Sequence, residues 1–206
     1  MAKLKINKII KTLISTDLIF LSALGLITPI FAIFITDKIK GGTIEVVGFA
    51  TAIYWIGRSI FEIPIARFLD KTKGEKDDLH FLIIGYALCA IVNFGYIFSS
   101  LPWHIYLLEF VYALGAAVSW PAWSALFTRH IDKGKEGFEW SVEHVSFSAG
   151  IGITGAVGGI VVSTWGFNIA FFLAGLFALI GALLPIIISK DVKRGDHWFL
   201  TLFKHK

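Results

Sequence analysis

The chain has 206 residues, of which 56% are apolar and only 17% charged, with a mean hydropathy of +0.74. An ordinary soluble domain carries about 25% charged residues, and a chain this short cannot bury so much apolar surface in water, so composition excludes a soluble globular protein. The net charge of +4 reads as an excess of Lys and Arg on the loops of a membrane protein, with no partnership with nucleic acid implied.

A hydrocarbon core of about 30 Å needs about 20 apolar helical residues to cross it. Six segments qualify, at Thr12–Thr36, Val46–Leu69, Leu79–Phe98, Trp103–Thr128, Ser141–Thr164 and Phe167–Ser189. These runs are long and lack the strict alternation of a membrane β-barrel. The fold class is therefore an all-α membrane protein of six transmembrane helices, with residues 1–189 forming the membrane domain and 190–206 a cytoplasmic or interfacial tail.

Along the chain, Lys3, Lys5, Lys8 and Lys11 precede the first span. This imitates a signal peptide, but the apolar run is too long for one and no small-residue cleavage site follows. Sixteen Lys and Arg fall on the amino end, the second and fourth loops and the tail, against two, Lys38 and Lys40, on the other loops. That bias places both termini in the cytoplasm and the protein in the cell membrane as a multi-pass chain. In the tail, basic residues alternate with Trp198, Phe199, Leu200, Leu202 and Phe203, which fits either a segment lying along the inner membrane surface or a disordered tail.

Each ionisable residue inside a membrane helix is a functional candidate, because burying it there is costly. Arg58 falls at the middle of the second span and Glu62 one turn further on. With Thr51 and Trp55 they share one helical face, which must turn toward protein or a water-filled cavity. Two roles stand open for Arg58: an internal ion pair with Glu62 that fixes packing, or a contact for an anionic group of a substrate. Asp17 and Glu109 each lie roughly 10 Å from the centre of the first and fourth spans at 1.5 Å per residue. A carboxyl group in a membrane cavity can carry a proton; the alternative for each is simply reaching the nearer interface. Tyr112, Trp120 and Trp123 on the fourth span suit an apolar or aromatic ligand, or plain packing and interface anchoring.

The fifth span repeats small and polar residues at helical spacing, with Ser141, His144, Ser148, Gly152, Gly155, Gly159 and Ser163 on one face. Small residues in a row allow another helix to approach closely. The lone Cys89 and six dispersed His leave no ligand set for a metal. Glu143-His144 is not part of an HExxH pattern, no phosphate-binding loop is present, and no nucleophile, base and orienting group cluster together. Neither an enzyme nor a cofactor is expected.

The run Pro64-Ile65-Ala66-Arg67-Phe68-Leu69-Asp70-Lys71 followed by Gly74-Glu75-Lys76 resembles the loop signature of the major facilitator superfamily, roughly G-x-L-x-D-R-x-G-R-K. Ala66 stands for the leading Gly, and one extra residue separates Lys71 from Gly74. Leu24-Gly25 with Pro29, Glu109 to Ala117 with Pro121, Gly152 to Gly159, and Trp165-Gly166 entering the sixth span resemble further family marks in family order. Glu109 stands where the family often has Arg, and Ala156 where antiporters have Pro. The resemblance covers the amino-terminal six-helix half of a family that usually has twelve helices.

It implies secondary transport of a small-molecule substrate by alternating access, with proton coupling an option. Spans one and four would line the cavity, two and five would meet another half, and three and six would face membrane lipid. Arg67, Asp70, Lys71, Gly74 and Lys76 would form a cytoplasmic gate, Asp70 meeting the amino end of a span-five helix near Phe138–Ser141. A parallel homodimer would supply the missing half. The alternatives are a non-transporting membrane module, or a half needing a separate partner chain.

Overall fold

A computed structural model describes residues 6–71 and 74–192; the tail from 193 onward, Lys3, Lys5 and Lys73 lie outside the described residues. All regular structure among them is helical: α1 (Lys8–Ile27), α2 (Phe31–Lys38), α3 (Ile44–Lys71), α4 (Glu75–Tyr96), α5 (Pro102–His130), α6 (Glu136–Trp165), α7 (Phe167–Leu183) and a final 3-10 turn (Leu184–Ile188). Six of these stretches are long and apolar enough to cross a membrane, so the chain is a multi-pass membrane protein. The six expected spans occur in order, with two departures that have local causes.

The first departure is a break in the first span, expected as one helix over Thr12–Thr36. Pro29 has no N–H to donate, and its ring crowds the carbonyl four residues back. α1 therefore stops at Ile27, the chain turns, and α2 resumes at Phe31. Thr28 uses its hydroxyl to cover the Leu24 carbonyl at 2.8 Å.

The second departure is length. α4 and α6 begin at Glu75 and Glu136, ahead of the expected Leu79 and Ser141. Their opening turns carry Glu75, Asp77 and Asp78, and Glu136 and Glu139, and acidic groups are favoured at the positive end of the helix dipole. The hydrophobic run marks where lipid begins; the charged first turns extend each helix beyond it.

The helices pack in a row. α3 lies on α5, α5 on α4, α4 on α7, α7 on α1 and α1 on α6, with further contact between α6 and α7. α3 and α6 are the ends of that row. In their most apolar stretches only 17% and 11% of residues are buried, against 39–56% in the other four spans. A glycine allows a close approach: a Cβ on Gly158 of α6 would collide with the Leu26 carbonyl of α1.

The amino terminus, the α3–α4 connection and the α5–α6 connection share what is called here the basic end; the short turns lie at the turn end. At the basic end Asp78, fully buried, is paired with Arg129, and His130 Nε2 lies 3.6 Å from Glu75. Asn7 caps α1 by accepting from the Ile10 N–H at 2.9 Å. Its amide donates to the His130 carbonyl at 2.8 Å and to Asp132 at 3.2 Å. Asp132 lies outside the spans, and the Lys135 ammonium, then the Asn7 amide, hold its carboxyl below the usual range.

Candidate functional site: two chambers that meet at Arg58

Two cavities hollow the bundle between its row-end helices. The turn-end chamber, about 490 Å³, is walled by α1, α2, α3, α4 and α5 and includes Thr28, Thr51, Asn93, Tyr96 and Glu109. The basic-end chamber, about 740 Å³, draws on α1, α3, α4, α5 and α6 and includes Asp17, Tyr86, Ser119, Trp140, Glu143 and His144. Leu24, Tyr54, Trp55, Arg58 and Tyr112 line both. α7 lines neither.

Arg58 stands at the joint. Its Nε donates to Glu62 Oε2 at 2.8 Å, and one terminal nitrogen donates to the Tyr54 hydroxyl at 3.3 Å. The guanidinium carbon is 5.8 Å from the Trp55 ring centroid and 5.7 Å from that of Trp120, positions at which a cation is drawn to an aromatic face. Tyr54 in turn packs on Tyr112, centroids 5.7 Å apart. Glu62 thus reaches the chambers only through Arg58, while Trp55 and Tyr112 face both and Trp120 faces the basic-end one. Trp123 is fully buried, its indole donating to the Leu13 carbonyl at 3.4 Å, so it packs and does not line.

The two carboxylates turn inward. Glu109, 9% exposed, accepts a hydrogen bond from the Tyr96 hydroxyl at 2.7 Å. Asp17, 3% exposed, accepts one from Tyr86 at 2.8 Å. Both are turned into the bundle. Phe20 stacks on Tyr86 at 3.6 Å, and Phe31 and Phe171 pack on Tyr96, so each donor is held in place by aromatic packing.

The sequence reading missed the donors. Tyr86, Cys89, Asn93 and Tyr96 recur at intervals of three and four, which puts them on one face of α4. That spacing was the available signal. Glu143, which fits no metal pattern, lines the basic-end chamber together with Asp17. No group of three or more metal-binding side chains occurs among the described residues.

The glycines of α6 divide by face. Gly158 meets α1, and a Cβ on Gly155 would stand 3.6 Å from the Gly25 carbonyl, but Gly152 and Gly159 look onto open space. Arg67, Asp70 and Lys71 are exposed at the basic end, away from both chambers, with Lys76 half-buried and Gly74 buried at the α4 cap.

A six-span helical bundle hollowed on both sides of Arg58 defines the protein as a polytopic membrane protein. The family model described as the Major Facilitator Superfamily matches residues 16–202, and the chain belongs to that superfamily. No curated protein matches it.

Proposed function

We propose that this chain is the bundle of a secondary transporter that carries a small solute by alternating access, held in the cell membrane with both termini cytoplasmic. The carrying observation is that Arg58 lies on the wall of both chambers. A solute passing from one side to the other meets the same cation throughout, while Glu109 faces it only on the turn-end side. Glu62 keeps the guanidinium oriented, and three of its five N–H groups remain for a ligand.

The working unit in this reading is a parallel homodimer. α3 and α6, the least buried of the six spans, share at most a marginal contact among the described residues. Trp55, Ile56, Ile60 and Ile63 on α3 and Ile153, Val157 and Ile160 on α6 are exposed. Two copies inserted by the same charge bias point the same way, so α3 of each can meet α6 of the other across a two-fold axis along the membrane normal. Gly152 and Gly159 then provide the close approach. Asp70, which has no ion pair among the described residues, would meet the amino end of the partner's α6, where free N–H groups and the dipole favour an anion.

Crosslinking tests the assembly. With Cys89→Ser as background, Trp55→Cys and Gly155→Cys together should give intermolecular disulfides in membranes. A protein that stays monomeric, gives no crosslink and still transports removes the dimer; a crosslink only to another protein replaces it with a half-transporter.

A further inference from the structure

The polar groups left over on the wall of the turn-end chamber sort by kind. On the α3 side they are donors. Arg58 spends its Nε on Glu62 and one terminal N–H on Tyr54, and its other N–H groups find no acceptor among the described residues. On the α4 and α5 side they are acceptors. Glu109, 9% exposed, takes the Tyr96 hydroxyl on Oε1, while its Oε2 accepts from no group among the described residues. Asn93, 4% exposed and one turn before Tyr96 on α4, spends its amide on the Cys89 carbonyl at 3.1 Å. Its Oδ1 has no donor among the described residues either. All three side chains line the chamber.

The two sides adjoin. A Cβ on Gly57, next to Arg58, would stand 3.3 Å from the Ala113 Cβ, so α3 and α5 touch at that level. Glu109 lies one turn before Ala113, about 6 Å away at 1.5 Å rise per residue. A cation and a carboxylate thus come from neighbouring turns of touching helices and line one chamber of about 490 Å³, a size usual for small-molecule sites. Phe31, Tyr54, Trp55, Tyr96 and Tyr112 make much of the remaining wall aromatic.

A ligand with one negative group answers Arg58 and leaves two buried acceptors unmet. One with a single positive group answers Glu109 and Asn93 and leaves the guanidinium unmet. Buried polar groups without partners are costly. A molecule carrying both charges close together satisfies the whole set: an ammonium brings three donors to the acceptors, and a carboxylate suits the guanidinium.

We propose that the substrate is a small zwitterion of the amino-acid class, its carboxylate on Arg58, its ammonium on Glu109 and Asn93, and its apolar or aromatic side chain against the tyrosines. The basic-end chamber pairs the same arginine with carboxyl groups of its own, Asp17 and Glu143, so a zwitterion keeps a partner of each sign on either side. The proposal rests on reading the chambers as a solute path, but the binding it describes needs no transport.

Calorimetric titration of the full chain in lipid nanodiscs tests it, with the apolar and aromatic L-amino acids as probes. At least one should bind. Its decarboxylated amine and its deaminated acid should each bind at least about tenfold weaker, because each leaves a buried group unpaired. Glu109→Gln should weaken the zwitterion by a similar factor and leave the deaminated acid unchanged. Where that variant does not fold, the three ligand forms on the unaltered protein decide alone. No binding by any probe overturns the proposal. An amine that binds as tightly as its amino acid makes the site one for organic cations, and an equally tight acid makes it one for anions; either overturns the proposal. Selective zwitterion binding by a protein that moves no solute keeps the site and removes the transport reading. Uptake only of solutes that are not zwitterions does the reverse.

Discussion

In the turn-end chamber a carboxylate of α5, Glu109, takes its hydrogen bond from Tyr96; in the basic-end chamber a carboxylate of α1, Asp17, takes its own from Tyr86, nearer the start of the same helix. One face of α4 therefore serves both sides of the bundle. The chambers differ in what else approaches the carboxylate. Glu109 has no second acid on its chamber wall among the described residues, whereas Asp17 shares its chamber with Glu143. Similar parts thus stand in different surroundings: one chamber holds a single carboxyl group and the other holds two.

The largest expected effect falls on what the chambers share. Replacing both members of the ion pair, Arg58→Gln with Glu62→Gln, removes the common cation without orphaning its partner. Uptake into proteoliposomes should fall at least about tenfold, equivalent to about 1.4 kcal/mol in the barrier, while the detergent-purified protein elutes as before. Unaltered uptake would mean that the chambers do not operate through Arg58.

Next comes the α1–α6 contact, where Gly158 meets Leu26. Gly158→Leu overpacks it and should lower stability by about 1–3 kcal/mol, read as a lower melting temperature. Gly159→Leu, on the open face, should leave the melt nearly unchanged and reduce the Trp55–Gly155 crosslink. Equal effects from both would erase the distinction between the two faces of α6.

Smaller still are the tyrosine hydroxyls. Tyr86→Phe and Tyr96→Phe should each cost about 0.6 kcal/mol of stability, a typical hydrogen bond between membrane helices. The functional consequences should then separate: Tyr96→Phe changes substrate affinity, and Tyr86→Phe changes the pH dependence of uptake.

The smallest effect lies outside both chambers. Because the Asp132 carboxyl is held below its ordinary range, its contribution is present above the unfolded value near 3.9 and is lost as pH falls through the folded one. Acidification should lower the melting temperature slightly more in the unaltered protein than in Asp132→Asn.

The six spans were legible because apolar length is a local property, and the α3 face carrying Arg58 was legible because its polar residues recur with the helical period. What escaped depends on residues far apart in the chain. Tyr86 and Asp17 are separated by 69 positions, and nothing near Asp17 announces that an acid on α6 will line the same chamber. Depth alone allowed Asp17 and Glu109 to reach the interfaces; packing turned them inward. The break at Pro29 was present in the residues, but total hydrophobic length conceals a kink.

The side chain of Asn7 bears on how the molecule is made. It begins α1, yet its amide is satisfied by the carbonyl of a residue 123 positions later. The helices that α1 mainly packs against, α6 and α7, leave the ribosome after α3, α4 and α5. Synthesis proceeds from the amino end, so α1 enters the bilayer ahead of them and waits with an incomplete cap, its Asp17 without Tyr86. α1 is thus made well before the helices it packs on, and a chain halted before α6 would present it, unfinished, to whatever surveys the membrane.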